Sequence, residues 1–175
     1  MMQNKIKDIK ALALDVDGTM TDGSIYISEH GEAMKRFDVK DGLGISLLVN
    51  AGIAVAVITG RKSQIVLERA RELKISEVVQ GAAKKGQAME ELAARQGISV
   101  EEIAYIGDDL NDLPALAVAG CSFCPADAVE EVKEKCHIVL KHNGGFGAVR
   151  EAAEIILKAQ GKYEDVVQKA YRLRQ

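Results

Sequence analysis

The sequence contains no apolar run long enough to cross a bilayer, and its opening stretch, MMQNKIKDIK, has no apolar core of the kind a secretion signal carries. Both absences lead to the expectation of a cytoplasmic protein with no membrane partner. A basic excess is missing too: the net charge is −3 and the pI about 5.7, which leaves no electrostatic footprint for nucleic acid. There are no internal repeats and no low-complexity linker, so the 175 residues are read as one domain, 1–175. Cysteine is scarce and odd in number, at Cys121, Cys124 and Cys136. CSFC has the C-x-x-C spacing of a metal or redox site. It also reads as a strand, where a spacing of three puts the two thiols on opposite faces. A redox pair would instead sit at a helix N-terminus, which lowers the thiol pKa. The cysteines are therefore expected to be structural.

What is present is an alternation of short apolar runs with helical patterns. ALAL, IAVAVITG and EIAYIG are continuous and short, as buried strands are. EVVQG, CSFC and HIVL read as further strands. Helices are expected in DGLGISLLVNAG, in QIVLERARELK behind a Ser63 cap, over 85–96, in DLPALAVAG, in AVEEVKEK behind an Asp127 cap, and over 146–160. Ser99 and Glu102 form a capping-box pattern. Two strand-like pieces, around 24–27 and 33–37, meet at His30-Gly31 as a hairpin. The alternation predicts an α/β fold: a doubly wound, Rossmann-like parallel sheet with helices on both faces and a β-hairpin flap after the first strand. The tail, about 162–175, is read as an extra helix.

The first apolar run stops at two carboxylates, Asp15 and Asp17, which share a side of an extended chain. Like charges that close need a cation or strong donors to compensate them. Other strands end in Thr59-Gly60-Arg61, in the approach to Lys84-Lys85, and in Asp108-Asp109 with Asp112 a turn later. In a doubly wound sheet these ends share one edge and converge on one crevice. Oxygen ligands at such an edge suit Mg²⁺, which keeps water and substrate phosphate in its remaining positions. A carboxylate there can attack phosphorus, while a lysine and a threonine hold the equatorial oxygens.

These residues resemble the haloacid dehalogenase superfamily, whose phosphatases carry D-x-D-G-T, a strand-end Thr, a Lys and G-D-D-x-x-D in this order. Here the motifs are Asp15-Val16-Asp17-Gly18-Thr19, Thr59, Lys85, and Gly107-Asp108-Asp109 with Asp112. The resemblance implies that Asp15 is the nucleophile and a Mg²⁺ ligand. Asp17 would be the acid/base, with its carbonyl also on the metal, and Asp108 would complete the metal site. Thr59 and Lys85 would hold the phosphoryl group, with Asp109 and Asp112 supporting from behind. Family spacing from Gln80-Gly81 selects Lys85, leaving Lys84 as a solvated surface residue.

The gaps after the first motif and after Thr59 are too short for the cap domain most members carry, so no cap is expected. More finely, DVDGTMTDGSIYISEHGEAMKRFDVKDGLGI, VITGRKS, AYIGDDLNDLP and GGFGAVREAAEIILKAQGK resemble the family of phosphatases acting on 3-deoxy-D-manno-octulosonate (KDO) 8-phosphate. That family acts in lipopolysaccharide synthesis and is a Mg²⁺-dependent homotetramer. The resemblance covers roughly 7–162 and leaves the tail YEDVVQKAYRLRQ unmatched. It implies a substrate-binding set of Asp17, Asp38, Val39, Lys40, Asp41, Gly42, Arg61, Arg69 and Lys85, with Arg61 and Arg69 facing the crevice to meet the sugar carboxylate. Sister phosphatases of nine-carbon sugar acid 9-phosphates are the first alternative. They tend to have an acid after Thr-Gly, where this chain has Arg61. A non-catalytic assembly domain of this fold is the second, set against the retention here of every acid and the lysine. KHNGGFGAVRE could suggest an anion site before a helix, but it lacks the lysine and hydroxyl of a phosphate loop and reads as a turn.

Overall fold

Ala11–Leu14 forms β1, and none of its four residues is exposed. The structure, a computed structural model, describes residues 6–171. After β1 come the hairpin strands β2 (Tyr26–Ser28) and β3 (Gly31–Met34), then α1 (Val39–Asn50), β4 (Ala54–Thr59), α2 (Gln64–Glu72), β5 (Glu77–Gln80) and α3 (Lys85–Gln96). The second half contains β6 (Ile103–Ile106), α4 (Leu113–Val118), β7 (Cys121–Cys124), α5 (Glu130–Lys133), β8 (Ile138–Val139), α6 (Ala148–Ala159) and α7 (Tyr163–Tyr171). Short 3₁₀ turns precede β6 (Val100–Glu102) and α4 (Leu110–Asp112).

Six strands make one parallel sheet in the order β5-β4-β1-β6-β7-β8, and β2-β3 form a separate antiparallel pair. The strand order reverses beside β1: the chain runs outward through β4 and β5, then returns to lay β6 on the other side of β1. Such a reversal opens a crevice at the carboxyl ends of the strands.

Alternation along β1 divides the core. Leu12 and Leu14 pack with α1, α2 and α6 through Ile45, Leu48, Val66, Val149 and Ile156. Ala11 and Ala13 face α3 and α4 through Met89, Leu92 and Leu116. Each fully buried Leu or Ile contributes about 1.5–3 kcal/mol relative to exposure. The same alternation sends Cys121 to the first layer and Cys124 to the second, as the spacing of three predicts. The neighbour of Cys124 is Cys136, with the two sulfurs 3.0 Å apart. That contact crosses from β7 to the end of α5 and is invisible in the local pattern.

Capping explains several helix starts. Asp38 accepts from Lys40 N–H (2.7 Å) and Asp41 N–H (3.3 Å) at α1, and Ser63 accepts from Val66 N–H (3.3 Å) at α2. Ser99 and Glu102 close the expected capping box. The Asp127 expectation fails. Helix α5 begins at Glu130 behind Val129 with no side-chain cap, because Asp127 accepts instead from Gly144 N–H at 2.9 Å. A tertiary bond to the glycine turn has displaced a local one. Of the tail, 163–171 is helical as expected, and 172–175 lie outside the described residues.

Between Thr21 and α1 there is only the hairpin, and between Thr59 and Lys85 only α2 and β5, so among the described residues no cap domain covers the sheet edge. Among the described residues no helix is long and apolar enough to cross a membrane.

Candidate active site

The crevice begins where the β1 ladder ends. Asp15 N–H donates to Ile106 O at 3.0 Å, so β1 and β6 stay paired up to the first carboxylate and then part. Asp15, Asp17, Thr59, Gly60, Arg61, Asp108, Asp109 and Asn111 line a cavity of about 170 Å³ at this point. A larger depression, about 460 Å³, includes Lys40, His142, Phe146 and Arg150 and none of these carboxylates.

Behind the cavity lies a buried network. Lys85 Nζ sits 2.8 Å from Asp15 Oδ1 and 2.6 Å from Asp112 Oδ1, and its side chain is 1% exposed. Lys84, next to it, is exposed. Tyr105 OH donates to Asp112 Oδ1 at 2.7 Å, while the N–H groups of Asp108 and Asp109 donate to Asp112 Oδ2 at 3.0 and 3.2 Å. Thr19 Oγ1 donates to Asp108 Oδ1 at 3.0 Å. The glycines of the motifs give room to these acids. A Cβ on Gly18, whose φ is +90°, would fall 2.1 Å from Asp108 Oδ2, and one on Gly107 would fall 2.4 Å from Asp112 Cγ.

The site is short of positive charge. Burial, and then Asp112, raise Asp15 to about 6 despite Lys85. Burial, with Asp15 and Asp112, raises Asp108 to about 7. Burial alone would lower Lys85, but Asp15 and Asp112 outweigh it and hold the ammonium above its ordinary value. Asp15, Asp108 and Asp112 each offer a carboxylate oxygen within 4.8 Å of the others. Since both Asp112 oxygens already accept hydrogen bonds, it orients the loop, and Asp15 and Asp108 are the pair with oxygens to give. Hard oxygen donors lacking a compensating cation fit Mg²⁺.

Lys35, which contacts Asp17, and Glu32, which contacts Lys35, come from the flap and escape the sequence reading. Lys35 Nζ donates to Asp17 Oδ1 and lies 3.0 Å from Glu32 Oε1, and Ser63 Oγ donates to Glu32 Oε2. Burial would raise the Glu32 pKa, but the Ser63 hydrogen bond and Lys35 prevail and hold it below its ordinary value. Arg61 approaches Asp17 at 3.7 Å and Glu32 at 3.8 Å. Asn111 is a further lining residue outside any motif acid.

The cavity does not take in every expected residue. Asp38 caps α1, Val39 is 83% exposed, and Lys40 lines the larger depression. Asp41 accepts from Gly147 N–H (3.2 Å) and Arg150 N–H (2.8 Å), which fills the N-terminus of α6 with a protein carboxylate. That leaves the glycine turn no place for a ligand anion, and Gly145 N–H bonds to Thr19 O (3.0 Å). The Arg69 guanidinium lies against Gly42, Phe37 and Glu72, not against the strand-end carboxylates.

Comparison with known proteins gives a consistent picture. Residues 72–152 match the haloacid dehalogenase-like hydrolase family model. A 3-deoxy-D-manno-octulosonate 8-phosphate phosphatase of Haemophilus influenzae is 47% identical over 92% of this chain and 89% of its own. The cobalt-bound structure of a deoxy-D-mannose-octulosonate 8-phosphate phosphatase from that organism has a TM-score of 0.92 at 44% identity, covering 97% of this chain and 99% of that one. Coverage of 97% is too complete to omit the tail, so the tail is shared rather than extra. The phosphatase from Moraxella catarrhalis, in complex with magnesium, phosphate and KDO, has a TM-score of 0.93 at 41% identity, covering 97% of each chain. The chain belongs to the 3-deoxy-D-manno-octulosonate 8-phosphate phosphatase family of haloacid dehalogenase-like hydrolases.

Proposed function

We propose that this protein is a Mg²⁺-dependent phosphatase that hydrolyses KDO 8-phosphate to KDO and inorganic phosphate through an aspartyl-phosphate on Asp15. The observation that carries the reading is Asp15 itself: a buried carboxylate at the strand-order reversal, 2.8 Å from Lys85 and grouped with Asp108. The complex described for the Moraxella relative holds the metal and the two products of that reaction together.

Asp15 attacks phosphorus as the bond to the sugar oxygen breaks, and Asp17 gives that oxygen its proton. Asp17 then takes a proton from water, which attacks the aspartyl-phosphate, releases phosphate and restores Asp15. Lys85 and Thr59 hold the phosphoryl oxygens where charge spreads in the transition state. Asp15, the Asp17 carbonyl and Asp108 would hold Mg²⁺, which supplies neutralisation of phosphoryl charge. Asp109 and Asp112 keep the loop in place. Arg61 meets the sugar carboxylate.

The wider reading follows from the same family: a cytoplasmic enzyme of lipopolysaccharide synthesis acting as a homotetramer. Exposed apolar side chains on the hairpin and beside it support assembly, among them Ile25, Tyr26, Ile27, Met34 and Val39. In a tetramer, the exposed Val39 and Lys40 at the start of α1, with Arg69 beside them, would reach a neighbour's crevice, whereas Asp41 is spent on the N-terminus of α6. A screen of sugar-acid phosphates, with Mg²⁺ and with chelator, tests the assignment. Metal-dependent phosphate release fastest on KDO 8-phosphate is expected. A preference for a nine-carbon sugar acid 9-phosphate, or no release at all, would overturn it.

A further inference from the structure

We propose that Cys124 and Cys136 form a modification site at which a peroxide oxidises the two thiols to one intramolecular disulfide, stapling the end of β7 to the bend after α5. The inference goes beyond the phosphatase reading and does not rest on it, since neither thiol lines the strand-end cavity.

The two sulfurs lie 3.0 Å apart. A bond of about 2.05 Å asks for only about 1 Å of further approach. Both thiols belong to the layer of Met89, Leu92 and Leu116, while Cys121, the one other cysteine of the chain, packs in the opposite layer. The pairing therefore has no rival. Exposure divides the roles. Cys124 is fully buried and Cys136 half-buried, so a small oxidant reaches Cys136 first and finds Cys124 directly behind it. Hydrogen bonding favours the same division. The Cys124 thiol donates to the Cys136 sulfur and lowers its pKa against the effect of burial, helped by the N–H groups of Ile138 and Cys124. That bond, together with burial, keeps the proton on Cys124. An accessible thiol of lowered pKa with a second thiol beside it is the usual setting for reversible oxidation.

As a thiolate, Cys136 attacks one oxygen of hydrogen peroxide. The O–O bond breaks, and the departing hydroxide takes up the proton that the thiol lost and leaves as water. Cys136 is then a sulfenic acid. The Cys124 sulfur attacks it, the S–O bond breaks, and the Cys124 proton leaves with that oxygen as a second water. Two thiols have lost two electrons, and one peroxide has been reduced to two waters. The loop this closes, 124–136, carries α5, a four-residue helix with Val132 alone buried and no side-chain cap. Through Asp127 the loop accepts from Gly144 N–H at 2.9 Å, and through Val129 N–H it donates to the carbonyl of Asp108 at 3.0 Å. A covalent tie across it restricts the unfolded chain and keeps these contacts together.

The test treats the reduced full chain with hydrogen peroxide, counts its thiols in denaturant and maps its peptides by mass. Thiols should fall from three to one per chain, with a mass lower by two hydrogens and a linked peptide pair containing Cys124 and Cys136. Dithiothreitol should restore all three. The oxidised form should melt at least about 4 °C above the reduced one. Under the same treatment Cys136→Ser should show no linked peptides and no rise in melting temperature, whereas Cys121→Ser should keep both. Three thiols left after treatment would overturn the inference. So would oxygen added to Cys136 without a linkage, or a bond made to Cys121 or to a second chain. An oxidised form that melts no higher than the reduced one would remove the staple. If Cys136→Ser does not fold, Cys136→Ala replaces it, and the wild-type peptide map decides by itself.

Discussion

The Lys85 ammonium lies 2.8 Å from Asp15 Oδ1 and ties the end of β1 to the first turn of α3. Its other contact is Asp112, 2.6 Å away in the 3₁₀ turn after β6, so one cation stands between two buried acids from different parts of the sheet edge. Lys85→Met should abolish turnover and also destabilise the fold. Breaking a buried pair by removing one partner typically costs about 3–5 kcal/mol, because the other charge is left uncompensated. Thermal unfolding at pH 8 should show the larger loss and at pH 5 a smaller one, where the stranded acids can take up protons. A melting temperature equal to wild type at pH 8 would contradict the network.

Raised acids make stability depend on pH and metal. Asp15 at about 6 and Asp108 at about 7 bind protons in the folded state that the unfolded chain, with pKa values near 3.8, has already lost. The folded protein without metal therefore holds more protons between about pH 4 and pH 7, and its stability falls as pH rises through that window. Mg²⁺ takes the place of those protons. Its stabilising effect should grow from pH 5 to pH 7.5, reaching about 2.7 kcal/mol when metal is at a hundred times its Kd. Thermal unfolding with Mg²⁺ and with chelator at both values checks this. An equal metal effect at the two would mean that Asp15 and Asp108 do not share the ion.

Asp15→Asn should leave almost no phosphate release, since an amide is neither the nucleophile nor an anionic ligand. Asp17→Asn should lose about 10²–10⁴-fold, the usual worth of general acid–base catalysis, yet still bind Mg²⁺ through its unchanged carbonyl. Steady-state rates with calorimetric metal titration separate the two variants. Wild-type release by either would sink the mechanism.

Arg61→Ala should slow KDO 8-phosphate hydrolysis far more than aryl phosphate hydrolysis. Because the side chain is 46% exposed, the loss belongs near the low end for a truncated charge pair, about 2 kcal/mol or roughly thirtyfold in kcat/KM. Equal losses on both substrates would place Arg61 at the phosphate.

Where the sequence was legible, the cause was local. β1, β4 and β6 are apolar on both faces because helices cover both, and α3 runs from Lys85 to Gln96 around the apolar spacing of Ala88, Met89, Leu92 and Ala93. The order of motif residues gave the convergence of Asp15, Thr59 and Asp108, since a parallel sheet puts strand ends on one edge. What stayed hidden was tertiary. Asp127 looked like a cap and is drawn away by Gly144, while Cys124 finds Cys136 rather than Cys121. Glu32 and Lys35, polar residues in a hairpin, carry no local signal of their contacts, which form only where the flap meets Asp17 and Ser63. Asp38–Gly42 and Arg69 match the family pattern yet sit outside this crevice, where Asp38 caps α1 and Asp41 holds the start of α6.

The assembly is open to a direct test. Helix α6 buries Val149, Ala152, Ala153, Ile156 and Leu157 in the core, so a chain cut before it would not fold. The hairpin is the better target. If the proposed homotetramer forms, the wild type should sediment as one, and Ile25→Asp with Ile27→Asp should yield smaller species with lower kcat/KM at micromolar protein, while leaving the fold intact. Fully active monomer would refute the proposed dependence of the site on assembly.

The cavity of about 170 Å³ at the strand ends has room for a phosphoryl group but not for a whole eight-carbon sugar acid. That disparity sets an order of departure. Once the bond to the sugar breaks, KDO is held by contacts at the mouth alone and is the first to diffuse away. Orthophosphate, formed inside the carboxylates and Lys85, is the last. Accumulated phosphate should therefore occupy the resting enzyme and compete with fresh substrate, whereas accumulated KDO should inhibit only weakly. The enzyme's throttle would then be the cell's phosphate level and not the demand for its sugar.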